Sequence, residues 1–87
     1  MNPQEKIIAS TILDYLYKHK ILGGVHTAFE NLQKKFPKHL RGEANKIAKE
    51  LIKDGLILAK PTNYGLQVSL NNNKLDEIER FIEEGLE

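Results

Sequence analysis

The sequence contains no cysteine, which excludes disulfides, thiolate metal sites and a cysteine nucleophile together. No apolar run comes near the ~18 residues of a membrane span, and the first residues lack the apolar stretch of a secretory signal. A glycine-rich phosphate loop is also missing, and Ser10 and Ser69 stand outside any motif of an activated serine. His19, His26 and His39 are not at metal-ligand spacing. His26 and Glu30 could share a metal one helical turn apart, but the further ligands of a site are lacking. The expectation from these absences is a cytoplasmic, non-enzymatic protein with no metal, no cofactor, no small-molecule ligand and no membrane partner.

What is present suits a single domain spanning residues 1–87. The 87 residues are 40% hydrophobic and 29% charged, enough for one small core. The formal net charge of +1 hides a strong asymmetry. Residues 1–60 hold eleven Lys/Arg against six Asp/Glu, a net of +5, whereas residues 61–87 hold two against six, a net of −4. Between 34 and 53 the bases Lys34, Lys35, Lys38, Arg41, Lys46, Lys49 and Lys53 meet only Glu43 and Glu50. A polyanion responds to such a local patch, not to the sum over the chain.

Periodicity divides the chain into five elements. Asn2-Pro3-Gln4-Glu5 reads as a helix start, and Ile8, Ile12 and Leu16, broadened by Ala9, Leu13 and Tyr15, predict a helix over 3–19 that ends at Gly23-Gly24. Thr27-Ala28-Phe29-Glu30 matches a capping box, which predicts a second helix from Thr27 through Phe29, Leu32 and Phe36, broken by Pro37. A third runs from Lys38 to Lys53, its apolar stripe formed by Leu40, Ala44, Ile47, Ala48, Leu51 and Ile52, and stops at Asp54-Gly55. The period then changes to two. Leu56–Lys60 and Leu66–Leu70 flank Pro61–Gly65, predicting a hairpin with a loop of about five residues. After Asn71-Asn72-Asn73, a connection and cap, Leu75, Ile78, Ile82 and Leu86 mark a last helix that should pack on the first. An extended piece near Val25-His26 is a candidate third partner for the hairpin. The expected class is α+β, mostly α, with the winged helix-turn-helix architecture: a three-helix core, a two-stranded β-wing and a C-terminal helix.

Through Gly24–Thr27, Phe36–Gly42, Leu51–Ile57 and Lys60–Gly65 the chain resembles the winged-helix family of DNA-binding domains, and more closely its short archaeal members. The likeness is a pattern of helix ends and wing residues that directly covers about half the chain. It implies duplex DNA as partner, with the third helix in the major groove and the wing on the backbone or minor groove, in a transcriptional regulator. Some members bind RNA or protein instead.

The residues themselves fit that role. On the third helix the face opposite the apolar stripe presents Lys38, Gly42, Lys46, Lys49 and Lys53, with His39 beside them and Arg41 and Asn45 on one flank. Lysines neutralise phosphate, while Arg41 and Asn45 are the types that read base edges. Gly42 would let a partner approach the backbone. An ordinary solvated lysine face is the bland alternative. Lys60, Asn63 and Tyr64 are the wing candidates, although Pro61, Asn63 and Gly65 also suit a plain turn. Thr27, at a helix start, is a candidate for holding a phosphate. Ile7, Tyr17 and Phe81 lie off the main stripes of the terminal helices and are candidates for a homodimer contact. The rival reading is a protein-interaction module within a transcription or replication assembly. RNA binding by the same basic face is a third.

Overall fold

In the computed structural model, which describes residues 1–86, the chain opens on helix α1, Pro3–Lys18. Its start is a reciprocal cap. The Asn2 side chain accepts from the Glu5 amide at 2.8 Å, and the Glu5 carboxylate accepts from the Asn2 amide at 3.0 Å. The helix ends at His19, and the chain reverses at Lys20, which adopts φ +54°. The turn therefore precedes the Gly23-Gly24 pair expected to make it.

The next elements differ from the reading of the sequence. Thr27–Ala28 is a strand, β1, and helix α2 is a single turn, Glu30–Gln33, with no side-chain cap. Thr27 does not open a helix. It pairs with Val68, and its hydroxyl accepts from the Asn31 side-chain amide at 2.9 Å. Strand pairing satisfies backbone groups that a capping box would have served, and a β-branched threonine suits the extended conformation. The extended piece expected at Val25-His26 is thus real but lies two residues later.

Helix α3, Lys38–Lys53, has the expected bounds. Ala44, Ile47, Ala48 and Leu51 are buried, and Leu40 and Ile52 pack on the core from its edges. It ends in a turn where Gly55 takes φ +81°, a conformation costly for any residue with a Cβ.

Strands β2, Ile57–Thr62, and β3, Gly65–Leu70, form the hairpin. Thr62 pairs with Gly65, so the loop is two residues, Asn63-Tyr64, and not five. The Thr62 hydroxyl tightens it, donating to the Gly65 carbonyl at 2.8 Å and accepting from the Tyr64 amide at 3.1 Å. The sheet is antiparallel in the order β1-β3-β2, which leaves Pro61 on an edge strand where its missing amide is tolerated.

Asn71 joins the hairpin to the end of the chain. Its side chain donates to the Gly55 carbonyl at 2.8 Å and accepts from the Asn73 amide at 3.0 Å. One turn of 3-10 helix, Asn72–Lys74, leads into α4, Leu75–Gly85, which packs on α1 as expected. The core lies between α1, α3 and the sheet, with Ile12, Leu13, Leu16, Ile47, Leu51, Ile57, Val68, Leu70 and Ile78 at its centre. The fold is α+β and mostly helical. Among the described residues no helix is long and apolar enough to cross a membrane.

Candidate nucleic-acid interface

Burial of one side of α3 dictates what the other side shows. With Ala44, Ile47, Ala48 and Leu51 turned inward, Lys38, Gly42, Lys46, Lys49 and Lys53 face solvent. An open trough of ≈ 420 Å³ runs along this face, and among the described residues its lining is Gly42, Asn45, Lys46, Lys49, Glu50 and Lys53, all of α3. His39 is also exposed, at the N-terminal end, and Asn45 is half-buried on the flank.

Among the described residues no ion pair neutralises the lysines of this face. Among the described residues the one salt bridge is Lys18–Asp14, within α1, at 3.0 Å. Glu43 is turned toward Gln4, whose side-chain amide donates to it at 3.3 Å. Glu50 lines the trough without reaching salt-bridge distance of any lysine. Lys46, Lys49 and Lys53, within about two turns of one another, repel, so the face gains from any anion that settles on it.

Arg41 is placed differently from its neighbours. It is half-buried, and its Nε donates to the Phe36 carbonyl at 3.1 Å. That bond ties the start of α3 to the segment leaving α2, so one edge of the guanidinium already has structural work. Lys35, from the same basic cluster, lies over the Tyr15 ring with its ammonium 4.5 Å from the centroid.

At the hairpin, Lys60 and Asn63 are exposed and Tyr64 is 93% exposed. An aromatic ring left this open contributes little to folding. Thr62 is the latch that holds the tip. Tyr64, Gly65 and Leu66 border a hollow of ≈ 200 Å³ shared with Ala28, Phe29 and Glu30.

Two groups of sequence candidates are reassigned. The reason for placing a phosphate at Thr27 disappears, because no helix starts there and α2 is one turn long. Of the candidates for self-association, Tyr17 donates from its hydroxyl to Glu79 on α4 at 2.8 Å, and Phe81 is half-buried against the core. Ile7 remains 53% exposed. The Glu79 bond holds the Tyr17 phenol above its ordinary pKa, because it favours the protonated form; the partial burial and the carboxylate charge act in the same direction.

Comparison with protein-family models, with curated proteins and with solved structures returns no match.

Proposed function

We propose that the chain is a winged-helix protein that binds duplex DNA, in the manner of a transcriptional regulator, with α3 as its recognition helix. The observation that carries this reading is the open α3 face, on which Lys38, Lys46, Lys49 and Lys53 are exposed and form no ion pair among the described residues. An unneutralised lysine row on one helix suits phosphate more than any neutral partner. Lys60, Asn63 and Tyr64 at the hairpin tip form the wing contact, with the tyrosine ring available to lie against sugar or base. The acids of α4, on a helix that packs against α1, leave the α3 face free of bound carboxylates.

The test is fluorescence anisotropy of labelled random-sequence duplex against salt concentration. Micromolar or weaker binding that falls steeply with salt supports the reading, because counterion release governs such contacts. Absence of binding at low salt overturns it.

A second reading, self-association, is favoured by apolar exposure elsewhere. Ile7 and Met1 are 53% and 47% exposed and line a hollow with Lys6 and Glu84. Opposite charges within one apolar patch suit a two-fold contact with a second copy, lysine of one facing glutamate of the other. Sedimentation of the wild type and Ile7→Glu tests this. A dimer converted to monomer by the substitution supports the contact, and a wild-type monomer at all concentrations refutes it.

A further inference from the structure

We infer that the α3 face has a partner of its own kind: a second copy of this chain, whose α4 lies along the trough and pairs with it charge for charge. The contact joins unlike faces, so it runs head to tail.

The two faces are complements in sign and spacing. In the α3 trough the one acid, Glu50, stands a turn from Lys46 on one side and a turn from Lys53 on the other, four and three residues away. On α4 the signs are exchanged. Arg80 is its one base, exposed among Asp76, Glu77, Glu79, Glu83 and Glu84. It shares an open hollow of ≈ 260 Å³ with Glu77, three residues before it, and Glu84, four after. Lys46 to Lys53 and Glu77 to Glu84 are equal stretches of helix, each about 10 Å long. Base, acid, base on one helix therefore meets acid, base, acid on the other, in either relative direction of the two.

The minority charges point to this occupant. A phosphate chain gains nothing from Glu50, which repels it, whereas a surface with one base among acids gains from it. Inside the molecule these charges are not used: among the described residues no ion pair forms on either face. Helices α3 and α4 both pack on α1 and bury their inner sides in the core. Their outer faces point away from that core, so one copy cannot close its own α4 onto its own α3. A second copy can. Phe81, half-buried at the edge of the α4 hollow, gives the lysine stems of the trough an apolar surface to lie on.

The test is sedimentation of the full chain across concentration, without nucleic acid, so its outcome stands apart from duplex binding. It is run at about 10 mM salt, where charges act over roughly 30 Å, and at about 1 M, where they act over roughly 3 Å. Wild type should associate in the first and be monomeric in the second. Glu50→Lys, Arg80→Glu and the chain carrying both are compared with it. Each single change makes one face more uniformly charged, so a general attraction between basic and acidic faces would strengthen association. In the paired arrangement each sets like charges opposite one another and should weaken association roughly tenfold or more. The double variant restores an opposite pair and should associate as wild type does. An equimolar mixture of the single variants should do the same, which also shows that both fold. A wild-type monomer at low salt, association that survives high salt, or a single change that strengthens or leaves the contact overturns the inference. Loss in Ile7→Glu with both charge variants unaffected assigns the association to the two-fold contact instead, and overturns this one.

Discussion

Ser10 and Gly85 set how closely α1 and α4 approach. A Cβ at Gly85 would fall on the Ser10 hydroxyl, 2.6 Å from the serine Cβ and 3.2 Å from the Lys6 carbonyl oxygen. The same hydroxyl donates to the Phe81 carbonyl at 3.1 Å, one turn earlier on α4. Gly85→Ala must therefore push the helices apart or displace that hydroxyl, and overpacking of this kind costs about 1–3 kcal/mol. Urea unfolding should show the loss. Ser10→Ala in the same chain should recover only part of it, because the Cβ of residue 10 remains in the way. Wild-type stability of Gly85→Ala would contradict the contact.

The two buried serines should respond to alanine in opposite directions. Ser69 is 1% exposed and its hydroxyl has no hydrogen-bond partner among the described residues. Ser69→Ala removes an unsatisfied buried group and should stabilise the fold by about 1 kcal/mol. Ser10→Ala gives up a made bond and should destabilise by a similar amount, ~1 kcal/mol. Parallel melts of the two variants decide the point, and equal shifts of the same sign would contradict it.

Lysine and arginine on α3 should separate binding from folding. Lys46→Ala and Lys49→Ala should each flatten the salt dependence of duplex binding by about one unit and weaken all sequences alike. Arg41→Ala should chiefly lower stability, by about 1 kcal/mol, through the lost bond to the Phe36 carbonyl. Its effect on sequence preference should be smaller than that of Asn45→Ala, whose side chain lines the open trough on α3. Competition between a selected site and random duplex measures that preference. Arg41→Ala relaxing it more than Asn45→Ala would reverse the assignment.

The Tyr17–Glu79 bond makes a prediction at alkaline pH. Because the phenol is held above its ordinary value of 10.0, the bond's contribution is complete below that pH and is lost as pH rises through the folded value. Absorbance titration should show a tyrosine phase above that ordinary value. Glu79→Gln should bring that phase down, and Tyr17→Phe should remove it. A titration curve that neither substitution changes would exclude the bond in solution.

Local patterns in the chain were enough for the long helices and for the composition of the α3 face. The reciprocal cap at Asn2 and Glu5, the apolar recurrence of Ile8, Ile12 and Leu16, and the stripe from Ala44 to Leu51 are all short-range signals. A helix with one apolar side has little choice about which side it buries. Once that side of α3 is turned inward, Gly42 and the lysines must face out.

Pairing between distant segments escaped the sequence. Thr27-Ala28-Phe29-Glu30 spells a capping box, but the same residues form β1 because Val68 and Gln67 stand ready to pair with them. The hairpin loop shrank for a related reason: once Thr62 and Gly65 pair, Pro61 belongs to an edge strand. In Leu66-Gln67-Val68-Ser69-Leu70 the alternation puts Ser69 on the polar side of its strand, yet tertiary packing covers it. Arg41 and Tyr17 are further cases, since their partners, the Phe36 carbonyl and Glu79, are set by how helices meet.

The sequence by itself determined the order of elements, the bounds of α3 and the charge of its outer face, because each follows from contacts within a few residues. Only the tertiary structure decided that those lysines form no ion pair among the described residues, that a Cβ has open space at Gly42 and none at Gly85, and that Thr27 is strand and not cap. Those properties depend on which surfaces the packed core brings together and which it leaves open, and no local pattern carries that information.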